Sequence, residues 1–100
     1  MHKLVVLYPQ PLDKQKFIEY YEGSHLPNVK DLPGLVSAEY GLNDDPEAPI
    51  FVMFSALFAD KAGLDNALHS EVGKSLARDI PNFSPAGVTM MSMPATQVVS

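Results

Sequence analysis

His25 is the residue whose type and setting point most directly to chemistry. It closes the run Tyr20-Tyr21-Glu22-Gly23-Ser24-His25-Leu26-Pro27. Tyr21 stands four residues ahead of it, so on a helix the two polar tips converge on one face. An imidazole both gives and takes a proton at neutral pH, which suits it to acid/base work on a small organic molecule. The same placement also suits a packing histidine bonded to a carbonyl at a helix end, and the local pattern leaves both readings open. Phe17, Phe54 and Met90 are expected beside the pair as apolar lining, in keeping with mostly apolar ligand pockets. Tyr40, Ser55 and Thr89 are polar groups on otherwise apolar segments, suited either to a cavity wall or to satisfied core hydroxyls. His2 and His69 read as surface residues.

Other chemistries find less support. The three histidines share no H-x-x-x-H or H-x-x-x-x-H spacing and cysteine is absent, so neither a histidine nor a thiolate metal site is expected. No G-x-S-x-G, P-loop or G-x-G-x-x-G occurs, which argues against a serine-hydrolase elbow and the common nucleotide cradles. No cofactor is expected. Seven Lys+Arg against twelve Asp+Glu give a formal charge of −5, a surface that phosphate backbones repel, so nucleic acid is not an expected partner. No apolar run approaches the ~18 residues of a membrane span. The five-residue apolar run near the N-terminus is too short for a signal-peptide core. The expected location is the cytoplasm, and the acidic 43–47 segment reads as a solvated loop rather than a calcium site.

With 100 residues, 46% of them hydrophobic and 19% charged, the chain is expected to form one globular domain spanning 1–100. Residues 3–8 read as a strand stopped by Pro9 and Pro11. Asp13 offers an N-cap to a helix opening at Lys14, along which Phe17, Tyr21 and His25 recur at i, i+4 and i+8. Gly23 and Leu26-Pro27 weaken that helix at its far end, so His25 is expected at or just past its terminus. Residues 35–42 alternate, with Val36, Ala38, Tyr40 and Leu42 on one side. Residues 50–58 form a strand apolar on both faces. Asp60 caps a helix with the stripe Leu64, Leu68, Val72, Leu76 and Ile80, which Ser70 can break in two and Pro81 is expected to end. Residues 88–93 read as a last strand, and 96–99 as an extra strand or an arm. The order β-α-β-β-α-β, with right-handed crossovers, describes an α+β, ferredoxin-like four-stranded antiparallel sheet with its helices on one face.

Helices on one side leave the other side bare. Yet Leu4 and Val6 stand against Val5 and Leu7, the 50–58 strand is doubly apolar, and Met90 stands against Met91 and Met93. Such a face would approach or exceed what soluble monomers usually expose. A homodimer with two sheets packed face to face is therefore expected, the alternative being a monomer whose C-terminal tail or long loop covers that face.

At these residues the chain resembles the EthD-domain family of the dimeric α/β-barrel superfamily. The resemblance rests on the opening strand Lys3-Leu4-Val5-Val6-Leu7-Tyr8-Pro9, on Phe17 and Tyr21, on Tyr21-x-x-x-His25-x-Pro27, and on Pro33-Gly34-Leu35. Asn28 stands where members commonly carry leucine, a departure expected to alter a pocket wall. The resemblance implies a face-to-face dimer and His25 as acid/base with Tyr21 as its neighbour. It also implies a cofactor-independent enzyme of oxygenase, lyase or isomerase type, acting on a small apolar oxygenated compound in catabolism or secondary metabolism. A noncatalytic ligand-binding module accessory to an oxidoreductase pathway is the alternative, and haem held by His25 a weaker third.

Overall fold

The computed structural model describes residues 1–99; Ser100, the last position of the 96–100 tail, lies outside the described residues. The elements run β1 (His2–Pro9), α1 (Lys14–Tyr20), a π-helical turn (Tyr21–His25), a 3-10 segment (Leu26–Asp31), β2 (Leu35–Leu42), β3 (Ile50–Phe58), α2 (Lys61–His69), α3 (Glu71–Phe83) and β4 (Thr89–Pro94). The sheet is ordered β2-β3-β1-β4 with every pair antiparallel, the ferredoxin-like arrangement expected from the element order. Among the described residues no helix is long and apolar enough to cross a membrane.

Local chemistry places the helix starts where the sequence puts them. The Asp13 carboxylate accepts from the Lys16 amide at 3.1 Å and the Asp60 carboxylate from the Gly63 amide at 2.8 Å, each satisfying an orphan donor of a first turn. Ser70 divides the long helical stretch, its hydroxyl accepting from the Gly73 amide at 3.1 Å. Gly73 is required by close packing: a Cβ there would collide with the carbonyl oxygen of Ala67 and sit 2.8 Å from that of Leu68. Gly34, at φ +76°, turns the chain into β2 in a conformation other residues rarely adopt.

Four expectations change. Pro81 does not end the last helix; α3 continues to Phe83, because a proline near the C-terminus forfeits one hydrogen bond while its neighbours stay packed. A bulge between Leu35 and Ser37 breaks the alternation of β2, so Leu35 turns toward the helices and Val36 stays 52% exposed. His2 is buried, not on the surface, because it shares the helix-facing register of Leu4, Val6 and Tyr8. Residues 96–99 form no strand; Val98 and Val99 are exposed, and the tail is anchored by the Ala95 amide donating to the Met1 carbonyl at 3.0 Å.

The core lies between the sheet and the helices. Tyr8, Phe17, Tyr21, Phe51 and Phe83 form its aromatic centre, with neighbouring ring centroids 5.3–5.7 Å apart, mostly edge-on or tilted. The opposite face is uncovered in the single chain. There Leu7 pairs with Met53, Lys3 with Leu57 and Met93, and Val5 with Met91; Met53, Met91 and Met93 are 54%, 40% and 40% exposed. The surplus of apolar sheet surface expected from the sequence is present.

Candidate functional site

α1 does not end in an ordinary turn. Its last residues widen into the π-helical turn Tyr21–His25, closed by the Leu26 amide donating to the Tyr21 carbonyl five residues back. In a regular α-helix, residues five apart point roughly 140° away from each other. The widened turn brings Tyr20 and His25 onto one partner, Asp79 of α3. The Tyr20 hydroxyl donates to Asp79 Oδ1 at 2.6 Å, the Asn82 side-chain amide donates to the same oxygen at 3.0 Å, and His25 Nδ1 lies 2.9 Å from Oδ2. Burial pushes the Asp79 carboxyl up, but hydrogen bonds from Tyr20, Asn82 and His25 outweigh it and hold the group below the usual carboxylate range. An ionised carboxylate only accepts, so Nδ1 carries the proton and Nε2 is the nitrogen left to act.

His25 itself is buried. Its ring stacks on Tyr21, with centroids 5.6 Å apart and planes 17° from parallel, and meets the Phe83 ring at 4.6 Å. On its inner side lies a largely apolar cavity of about 60 Å³, whose lining includes Tyr8, Tyr21, His25, Phe54, Ile80 and Met90. Burial, aided by the Asp79 charge, pushes the Tyr8 phenol above its ordinary range. Burial likewise raises that of Tyr21, with Tyr8 and Tyr40 nearby. Both stay neutral donors at physiological pH. The Tyr21 hydroxyl is buried and has no hydrogen-bond partner among the described residues. On the far side of the dyad, Asp79 borders a polar surface groove with Ser24, Asn28, Ser75, Arg78 and Asn82.

Of the six residues singled out in the sequence, the fold brings four to this cavity: Tyr21, His25, Phe54 and Met90. Phe17 does not reach it, because its ring is spent in the aromatic core against Tyr8, Phe51 and Phe83. Tyr40 lies outside as well. Its ring meets Tyr21 edge-on at 5.6 Å, and its hydroxyl turns to Glu22 Oε2 at 2.6 Å. Asn28 does not line the cavity; it bonds back to the Ser24 carbonyl at 3.1 Å and borders the polar groove. Tyr8, Tyr20 and Asp79 were missed. Asp79 sits one residue before Ile80 of the apolar stripe, and that adjacency was the available signal. Among the described residues no group of three or more His, Cys, Asp or Glu could hold a metal ion.

A ferredoxin-like sheet with a histidine–carboxylate pair over an apolar cavity defines the class, and similarity to known proteins narrows it. No protein-family model matches the chain. It is 31% identical over 94 residues, 91% of each chain, to the uncharacterized 11.0 kDa protein of the thcB–thcC intergenic region of Rhodococcus erythropolis. It is 30% identical to an ethyl tert-butyl ether D (EthD) family protein from Bacillus halodurans, whose crystal structure superposes with a TM-score of 0.89 over 96% of this chain and 99% of that one. The chain belongs to the EthD family. The fold alone is shared with a hydroxynitrile lyase from Passiflora edulis (12% identity, TM-score 0.77, 99% and 96% covered). It is shared too with a dimeric ferredoxin-like protein from Bacteroides fragilis (9% identity, TM-score 0.71, 92% and 93% covered).

Proposed function

We propose that this protein is a cofactor-independent acid/base enzyme in which His25 moves a proton on a small, oxygenated, mostly apolar compound. The observation that carries the reading is the 2.9 Å pairing of His25 Nδ1 with Asp79, made by a buried histidine that lines an apolar cavity. The carboxylate fixes the imidazole tautomer and orientation and stabilises the imidazolium that forms when Nε2 accepts a proton. A carbon next to a carbonyl is a suitable proton source, and its removal opens lyase, isomerase and oxygenase outcomes alike. The lyase activity named for the Passiflora neighbour fits this class. Tyr21 and Tyr8, held neutral, serve as donors, and Phe54 and Met90 supply apolar wall.

The working unit in this proposal is a homodimer joined through the bare sheet face, supported by the exposed methionines there and by the dimeric neighbour of the same fold.

The test is deuterium exchange. Cyclopentanone in D2O at neutral pH, followed by NMR, should incorporate deuterium next to its carbonyl faster with the protein than without it. His25→Gln should remove about 10²–10⁴-fold of that acceleration. Binding of the ketone with no acceleration would instead support a noncatalytic ligand-binding module.

A further inference from the structure

Tyr21, named above as a donor, carries a feature that bears on what it donates to. The residue is only 1% exposed, and its hydroxyl has no partner among the described residues, although buried polar groups are almost always hydrogen-bonded. Phenylalanine would fill the same aromatic position without leaving a donor unmatched. Tyr21 also lines the cavity, and the second phenol there, Tyr8, is 2% exposed. Their neighbour across the dyad, Asp79, is an anion, and the remaining wall is largely aliphatic or aromatic.

We infer that Tyr21, with Tyr8 beside it, is a recognition site for a neutral carbonyl oxygen, so that the ligand is an uncharged ketone, aldehyde or ester rather than a carboxylate. The inference rests on the cavity being the ligand site of the proposed function, and it adds the ligand's chemistry. A neutral acceptor completes the unmatched donor. An anion entering the same place would be stripped of water and set near the Asp79 charge. A hydrocarbon of the same shape would leave the hydroxyl unmatched, the kind of mismatch that polar sites reject most strongly. Size adds a limit: since an apolar cavity of about 150 Å³ holds benzene, one of about 60 Å³ takes only the carbonyl end of a ligand. The remainder lies toward Met90, a flexible side chain that is 45% exposed.

Three five-membered-ring probes test this by ligand-observed NMR titration: cyclopentanone, its hydrocarbon isostere methylenecyclopentane, and the anion cyclopentanecarboxylate. The wild-type protein should bind the ketone about tenfold more tightly than the hydrocarbon, as expected for one matched against one unmatched buried donor, and should bind the carboxylate most weakly. Tyr21→Phe should erase the preference for the ketone over the hydrocarbon. Because the substitution deletes an unmatched hydroxyl, it should also raise the melting temperature of the ligand-free protein, by about 4 °C. A Tyr21→Phe variant that melts lower than wild type would show that the hydroxyl is a structural bond, and would overturn the inference without any ligand. So would an unchanged ketone preference in that variant, or a wild type that favours the carboxylate. If the ketone preference is present and lost in Tyr21→Phe while no deuterium exchange occurs, the recognition site stands and the catalytic reading falls.

Discussion

Replacing Asp79 by asparagine tests the centre of the site most directly, because one carboxylate gathers three donors from three elements. The substituted amide keeps the shape but loses the charge, so the bonds from Tyr20 (2.6 Å), Asn82 (3.0 Å) and His25 (2.9 Å) become neutral or must rearrange. Hydrogen bonds to charged groups contribute about 1.5–3 kcal/mol net and neutral ones about 0.5–1.5. Three bonds each weakened by ~1 kcal/mol give about 3 kcal/mol, and solvent reaching the Asp79 side chain, 22% exposed, reduces that to about 2 kcal/mol. For a domain of this size the variant should melt roughly 10 °C lower at pH 7. The pH dependence has a definite sign. The Asp79 carboxyl titrates below its ordinary value in the folded chain. The stability it contributes is therefore complete above the unfolded value of about 3.9 and is lost as pH falls through the folded one. Thermal unfolding followed by circular dichroism from pH 7 down to pH 2 should show wild type and Asp79→Asn converging in acid. Equal melting temperatures at pH 7, or a gap that persists unchanged at pH 2, would refute the reasoning. In the exchange assay the same variant should be slower than wild type, since the imidazole loses the charge that orients it.

The bare sheet face and the helix junction give two further expectations. Sedimentation equilibrium at micromolar concentration should find particles of twice 10.9 kDa, and Met53→Lys, 54% exposed in the single chain, should yield folded monomers; a wild type that sediments as monomer would remove the dimer. Gly73→Ala should destabilise by about 1–3 kcal/mol in urea unfolding, because the added methyl meets the rigid carbonyls of Ala67 and Leu68 rather than a side chain that can move; a neutral result would mean that α2 and α3 can separate at little cost.

Local signals proved sufficient wherever the chain's short-range physics decides. The spans of β2 and β3, the caps at Asp13, Asp60 and Ser70, and the burial of Phe17, Tyr21 and His25 on one helical face all follow from residues within a few positions of each other. The bulge at Val36 escaped notice because an alternating pattern does not record an inserted residue. Burial of His2 was missed because its register partners, Phe58 and Pro94, are far away in sequence. The site divides in the same way. His25 stood out by its spacing from Tyr21. Its partner Asp79, 54 residues on, was marked only by standing beside Ile80 of the apolar stripe, which does not say what it meets.

Period and composition by themselves determined the element order, the one-sided covering of the sheet and the position of a histidine at the end of the first helix, because each depends on repeats that a linear string preserves. Only the tertiary structure decided which carboxylate meets that histidine, that Phe17 belongs to the core and not to the cavity, and that the Tyr21 hydroxyl lacks a match. Those outcomes depend on how α3 is laid against a widened π-turn, and distances between segments remote along the chain are set by packing, which a pattern of residue types does not encode.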